Sequence, residues 1–202
     1  MERPVKGTTR KLALLAVVSA ALAASALAQQ HPPVSPATHP GQAAPSATGG
    51  ETPQQFLAKR AGEWTRTIRF VGGNSDAAPS SGTSKITVIL GGRFIQEQNE
   101  DMVFGRPVSG TRIYGYNDAT KQWEAAWLYT MSPAILNLTG TSTDGGKVVD
   151  YTGATYTANG GKTVLRARVR QADNDQFVVT LYAPDRDGKD AAFQETTYQR
   201  RK

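Results

Sequence analysis

The chain has 202 residues, no cysteine and a formal net charge of +6, which suits one domain of ordinary size with additional terminal segments. The lack of cysteine excludes a disulfide scaffold, thiol catalysis, cysteine metal sites and a lipid-modified amino-terminal cysteine. Both histidines, His31 and His39, precede the predicted domain. Histidine acid–base catalysis, a serine–histidine triad, a histidine zinc site and a haem with a proximal histidine are therefore excluded in that domain.

Residues 1–28 have the pattern of a secretory signal peptide. A basic start is followed by an apolar run that ends in a small–x–small pattern at residues 26–28, which signal peptidase cleaves. An uncleaved membrane anchor is the alternative, but the run is alanine-rich, contains two serines, and is shorter than the roughly 20 strongly apolar residues of a spanning helix. We expect an exported protein, periplasmic or secreted, without stable membrane insertion after cleavage.

The signal accounts for half of the net charge, because it carries four basic residues and one acidic residue. The remaining +3 is too small to indicate a nucleic-acid partner. Residues 29–51 are rich in proline and small residues and cannot bury enough apolar surface to offset their ordering entropy, so they predict a disordered linker. A polyproline docking site is the alternative, but the prolines keep no regular spacing.

The predicted domain, residues 52–202, begins with one short helix. Thr52 is its predicted cap, Pro53 suits the first position, and Gln55 completes a capping box. Gly62 stands where a helix usually ends, and Trp64 follows at once in the first strand. We expect this helix to plug one end of a sheet that closes on itself.

Ten β-rich runs follow, separated by turn residues such as Gly91-Gly92. No connection is long enough for parallel pairing. The prediction is an all-β fold, a single antiparallel up-and-down β-barrel of about ten strands with one short N-terminal helix, because closure removes exposed edges. A two-sheet sandwich is the alternative. The strands are predicted at about 63–71, 83–90, 93–101, 107–117, 122–131, 134–142, 147–157, 162–171, 176–183 and 190–200.

The two-residue period assigns the faces of the strands. Arg66 shares a face with Trp64 and Ile68, and Leu165 and its alternate neighbours lie opposite an arginine row. An interior that mixes aromatic side chains with an occasional arginine is typical of a ligand cavity, although a filled core would give the same pattern if the arginine reached the mouth. The richest aromatic row contains Trp123, Ala125, Trp127, Tyr129 and Met131.

Gly62-Glu63-Trp64 resembles the G-x-W motif of the calycin superfamily, which includes lipocalins and fatty-acid-binding proteins. That resemblance implies that an arginine near the end of the last strand lies across the tryptophan. We therefore expect Arg200 to cover Trp64 in a contact with cation–π character.

Several motifs in order, from Phe56 to Arg200, resemble the bacterial domain-of-unknown-function family 1579: FLAKRAGEW, GTSKITVILGGRFIQEQ, GTRIYGYN, WLYTMS and a terminal YQR. The resemblance implies a lipocalin-type barrel without an established activity. Two positions depart from the family pattern, because Asn117 and Tyr129 stand where the family usually carries acids. Both departures disfavour an enzyme.

The sequence yields a candidate ligand-binding set in the barrel interior. Arg93 alternatively lies at the rim and pairs with an acid such as Glu97. Glu97, Glu124 and Glu195 are candidate lumenal acids, but no two have the spacing of an acid–base pair. The predicted interior set is Trp64, Arg66, Arg93, Trp127, Tyr129, Met131, Tyr198 and Arg200.

These observations predict a non-catalytic protein that binds a small hydrophobic molecule, without a cofactor, a metal or a catalytic residue. The alternative is an envelope structural or interaction protein that holds an anionic surface through the outer row Arg166, Arg168 and Arg170. A carboxylate-based enzyme ranks lowest. The sequence does not indicate an oligomeric state.

Overall fold

The computed structural model describes residues 50–72, 78–156, 160–185 and 187–202. The predicted signal peptide and residues 29–49 of the predicted linker lie outside these ranges. Within these ranges, one α-helix precedes ten strands. The elements are α1 (Pro53–Ala58), β1 (Gly62–Phe70), β2 (Ser80–Ile89), β3 (Phe94–Val103), β4 (Arg106–Asn117), β5 (Gln122–Tyr129), β6 (Ser132–Thr141), β7 (Val148–Tyr156), β8 (Lys162–Gln171), β9 (Gln176–Pro184) and β10 (Asp190–Arg200).

The ten strands form a closed antiparallel barrel, which confirms the predicted fold. Each strand pairs with its sequence neighbours, and β1 also pairs with β10, so that Trp64 stands opposite Arg200. The sandwich alternative is wrong, because closure leaves no free edge. Pairing is shortest between β6 and β7, where it covers only Thr139–Thr141 and the three residues opposite.

The helix covers one end of the barrel, which we call the closed end. Thr52 accepts a hydrogen bond from the backbone of Gln55, and the Gln55 side chain accepts one from the backbone of Thr52. The helix buries Leu57 in the core, and the ring of Phe56 meets Trp123 edge to face at 6.2 Å between centroids. The predicted capping box and plug are thus observed.

Local details differ from the prediction at two turns. β2 begins at Ser80, three residues before the predicted start at residue 83, and residues 73–77 of the connection from β1 lie outside the described part. The β2–β3 connection is a single 3₁₀ turn over Leu90–Gly92 instead of a two-residue turn. Leu90 joins both glycines in the positive-φ region there, so the turn is wider than the glycine pair alone indicates.

The faces follow the two-residue period. Trp64, Arg66 and Ile68 are buried, and the residues between them are exposed. Leu165, Ala167 and Val169 line the interior while the intervening arginines face outward. The core therefore lies inside the barrel and is densest near the helix.

Candidate ligand-binding site

A cavity of about 440 Å³ lies inside the barrel at the end opposite the helix, which we call the mouth. Its wall is mostly apolar because the strand positions that face inward there carry aliphatic and aromatic side chains. Pockets that hold small ligands usually measure about 300–1,000 Å³. Among the wall residues are Ile68, Val108, Trp127, Leu136, Leu165 and Leu181.

Large apolar side chains also stand exposed around the mouth. Phe104, in the β3–β4 turn, is 63% exposed, and its ring centre lies 4.6 Å from that of Phe70 at an interplanar angle of 30°. Met131, between β5 and β6, is 69% exposed, and Tyr156 at the end of β7 is 63% exposed. All four residues line the cavity. The rim of the mouth is therefore largely apolar.

The floor of the cavity is a buried network of charged and polar side chains. Arg66 forms an ion pair with Asp101, and its Nε lies 3.9 Å from Glu97 Oε1. Arg112 Nη1 lies 3.3 Å from the same Glu97 oxygen and donates a 2.5 Å hydrogen bond to the Tyr198 hydroxyl. The hydroxyl in turn donates to Glu97 Oε1 at 2.8 Å. Two guanidinium groups and one hydroxyl thus converge on one carboxylate.

The network sets the protonation of its members. Burial raises the pKa of Glu97, but the opposite effect of Arg112 and Arg66 is larger, so that the pKa of Glu97 lies below its usual value. At Asp101, burial outweighs the attraction of Arg66 and raises the pKa. Burial raises the pKa of Tyr198 to about 12. Glu97 is therefore a firmly ionised counter-ion, and Tyr198 stays a hydrogen-bond donor at neutral pH.

Two glycines make room for this network. Gly82 stands opposite Asp101 in the β2–β3 register, and a Cβ at Gly82 would collide with Asp101 Oδ1. Gly110 stands opposite Asn99, and a Cβ there would lie 2.6 Å from Asn99 Oδ1. Neither side-chain oxygen accepts a hydrogen bond from a described residue, and both lie against the wall of the barrel.

Several predicted interior residues belong to the closed end rather than to the cavity. Trp64 is completely buried, donates from Nε1 to the carbonyl of Arg60 at 2.9 Å and packs its ring on Phe177. Arg200 lies 4.2 Å over the Trp64 ring, as the sequence resemblance implied. Trp64 and Arg200 thus lock the helix to the barrel, whereas Arg66, Trp127, Tyr129 and Met131 line the cavity.

The two remaining residues of the predicted interior set, Tyr198 and Arg93, lie in different parts of the barrel. Tyr198 is completely buried in the floor network. Arg93 is exposed at the β2–β3 turn, beside the helix. The interior position predicted for Arg93 is therefore corrected, because that hairpin ends at the closed end. Glu97 does not pair with it, since Glu97 pairs with Arg66 and Arg112.

The other predicted acids and the outer arginines do not join this site. Glu124 stands between two inward-facing residues of β5 and accepts a hydrogen bond from Asn117. Glu195 stands opposite Arg69 in the β1–β10 register. In the outer row, Arg166 pairs with Asp190, and Arg168 makes a two-pronged contact with Asp150. These acids reduce the net charge that the sequence indicated for that row.

Sequence reasoning missed Arg112, Asn99 and Asp101. A signal existed for Arg112, since it lies two residues before the inward-facing Tyr114 on β4. The other two lie in a run of polar and acidic residues on β3, where Gln98 and Glu100 alternate with them and face outward, so that composition alone does not separate the two faces.

An outer groove, metal binding and membrane crossing also bear on the assignment of a functional site. A groove of about 710 Å³ lies on the outer face of strands β1 to β6, and exposed polar side chains such as Lys85, Gln98 and Glu100 line it. Across the described ranges, no cluster of three acidic or other ligating side chains is arranged to hold a metal ion. No helix in the same ranges has the length and apolarity that crossing a membrane requires.

Comparison with known proteins gives a family and a fold. The family described as proteins of unknown function, DUF1579, matches residues 50–200. Rv2717c from M. tuberculosis is 16% identical, with a TM-score of 0.52 over 76% of this chain and 100% of that one. The S-type phycobiliprotein lyase CPES from Guillardia theta is 14% identical, with a TM-score of 0.48 over 75% and 94% of the two chains. No curated protein matches the sequence.

Proposed function

Since this chain belongs to the DUF1579 family of proteins of unknown function, we propose a function from its own barrel: it binds a small, largely apolar molecule in the cavity at the mouth. The observation that carries the proposal is the cavity itself, with about 440 Å³ of space, an apolar wall and a polar floor. A few polar groups at one end of an apolar pocket are what orients a bound small molecule.

The floor chemistry favours binding over catalysis. Glu97 is ionised and fixed by two guanidinium groups and the Tyr198 hydroxyl. A general base works best with a pKa near the operating pH, whereas the pKa of Glu97 is lowered. Glu97 is better suited to hold Arg112 and Arg66 in position than to move protons.

Uptake of the neutral apolar dye Nile red by the purified domain tests the proposal. We expect dye fluorescence to rise on binding and dodecanol to displace the dye. Val108→Phe places a larger side chain into the cavity wall and should weaken dye binding about tenfold. Val88→Phe is the matched control, because Val88 is 42% exposed near the closed end. Absence of dye uptake, or equal effects of both substitutions, would reject the cavity as a binding site.

We also propose that the protein acts outside the cytoplasm, because residues 1–28 match a secretory signal. Mass measurement of the protein recovered from the cell envelope and medium tests this. A recovered chain that begins at Gln29 supports export with cleavage of the signal. A recovered chain that keeps residues 1–28 contradicts this cleavage.

A further inference from the structure

The guanidinium of Arg112 is only partly used by the protein. Its Nη1 contacts Glu97 and Tyr198, while its Nε and Nη2 make no hydrogen bond to any described residue. Arg112 lines the cavity floor, and its side chain retains 15% exposure. The Nε and Nη2 groups form the edge of the guanidinium that donates two parallel hydrogen bonds to a carboxylate.

A second unpaired donor lies beside Arg112. The indole nitrogen of Trp127 is buried in the cavity wall and has no partner among the described residues. The Arg112 guanidinium lies 4.9 Å from the centre of the Trp127 ring. A buried donor without a partner destabilises the folded protein, because it has lost its hydrogen bonds to water. A ligand that supplies acceptor oxygens at this point would remove that destabilisation.

The charges of the described interior also leave room for an anion. In the described interior, the three buried or nearly buried arginines Arg60, Arg66 and Arg112 carry one charge more than the two buried acids, Glu97 and Asp101. Arg60 contacts no acid in the described part of the chain: its Nε donates to Gln171, and its guanidinium lies over aromatic rings. One further negative charge inside the barrel would balance this set, and buried charges are normally paired.

Resting on the proposed function, we infer that the ligand is an apolar chain with one carboxylate, whose oxygens accept hydrogen bonds from Arg112 Nε and Nη2 and from Trp127 Nε1. The chain extends along the apolar wall towards the mouth. The unpaired oxygens of Asn99 and Asp101 do not compete for the ligand, because they lie against Gly110 and Gly82 on the barrel wall.

Displacement of Nile red by three probes of equal chain length tests the inference: dodecanoate, dodecanol and dodecylamine. We expect dodecanoate to displace the dye at least tenfold more effectively than dodecanol, and dodecylamine least. Arg112→Gln should abolish the preference for dodecanoate, and Arg112→Lys should restore only part of it because lysine lacks the two-donor edge. Arg168→Gln on the outer surface is the control and should keep the preference.

Trp127→Phe provides a second variant that leaves every ion pair of the floor intact. We expect it to lower the affinity for dodecanoate about three- to tenfold and to leave the affinity for dodecanol almost unchanged. This variant decides the matter if Arg112→Gln fails to fold. Equal displacement by the three probes, or a preference for the amine, would overturn the inference while the proposed function stands. Failure to take up Nile red and all three probes would overturn both.

Discussion

The guanidinium of Arg200 lies 4.2 Å from the centre of the Trp64 ring, and the two residues stand directly opposite each other on β10 and β1. The same guanidinium donates hydrogen bonds of 2.7 Å to the carbonyls of Lys59 and Ala61, just after the helix. It also donates to the carbonyl of Asn174 in the β8–β9 turn at 2.9 Å. One side chain of the last strand thus joins the helix, the first strand and a distant turn.

Arg200→Ala should destabilise the domain by about 3 kcal/mol, because it removes three charge-assisted hydrogen bonds and the contact with Trp64. Arg201→Ala is a neighbouring control. Arg201 pairs with Glu63 at 3.4 Å with both side chains more than half exposed, so its loss should cost less than about 1 kcal/mol. Urea unfolding followed by tryptophan fluorescence measures both. Similar losses in the two variants would contradict the role given to Arg200.

Gly62→Ala should cost about 2 kcal/mol, because Gly62 has φ +140° and an added Cβ would lie 2.5 Å from Arg200 Nη1. Gly188→Ala is the comparison, since Gly188 has φ +75° and open space around it, which predicts about 1 kcal/mol from strain alone. In the double variant that combines Gly62→Ala with Arg200→Ala, the loss in the free energy of unfolding should be smaller than the sum of the two single losses. Full additivity in urea unfolding would show that the close approach does not matter.

Glu97→Gln should lower the free energy of unfolding at pH 7 by about 3 kcal/mol or more, because it leaves buried guanidinium groups without their counter-charge. Because the pKa of Glu97 is lowered in the folded state, the ionised carboxylate stabilises the fold fully at pH values above its ordinary pKa of 4.5. This stabilisation is lost as the pH falls through the folded-state pKa. The difference between wild type and Glu97→Gln should therefore shrink in acid.

Asp101 contributes with the opposite sign, since its raised pKa favours the protonated form in the folded state. Asp101 is present in both wild type and Glu97→Gln. Its contribution to the free energy of unfolding therefore cancels from their difference if the two acids act independently. Glu195→Gln, on a half-buried outward position, is the control and should change stability by less than about 0.5 kcal/mol. Urea unfolding at pH 7, 5 and 3.5 provides the measurement, and a difference that stays constant would contradict the assignment.

Binding of dodecanoate should change the fluorescence of Trp127 and leave the other tryptophans nearly unaffected. Trp127 lines the cavity, whereas Trp123 packs against Phe56 at the closed end. We expect the spectral change in wild type and Trp123→Phe and its loss in Trp127→Phe. A change that survives in Trp127→Phe but disappears in Trp123→Phe would place the ligand at the wrong end of the barrel.

The strands and the helix could be predicted because their signals are local, whereas the contact between Trp64 and Arg200 was expected from the resemblance to the calycin motif. Alternation along one strand, glycine turns and a capping box act within a few residues, and the barrel then needs only closure. The floor of the cavity depends on pairs that are far apart in the chain. Arg66 meets Asp101 35 residues away, and Arg112 meets Tyr198 86 residues away. Only the strand register decides such meetings.

Arg93 is a second example of a position that depends on strand register rather than on local sequence. Its neighbours Gly91 and Gly92 predicted a turn, but the turn alone does not tell which end of the barrel it occupies. The pairing of β2 with β1 places that turn beside the helix. Conversely, the alternation of β4 places Arg112 on the same inward face as Tyr114, although glycine and serine on this strand weaken the pattern.

The helix and the end of β10 both lie at the closed end of the barrel. A tag, a surface linker or a fused reporter attached before Thr52 or after Lys202 would therefore emerge on the side opposite the cavity. Anchored by either of these positions, the barrel can present its mouth to the surrounding solution.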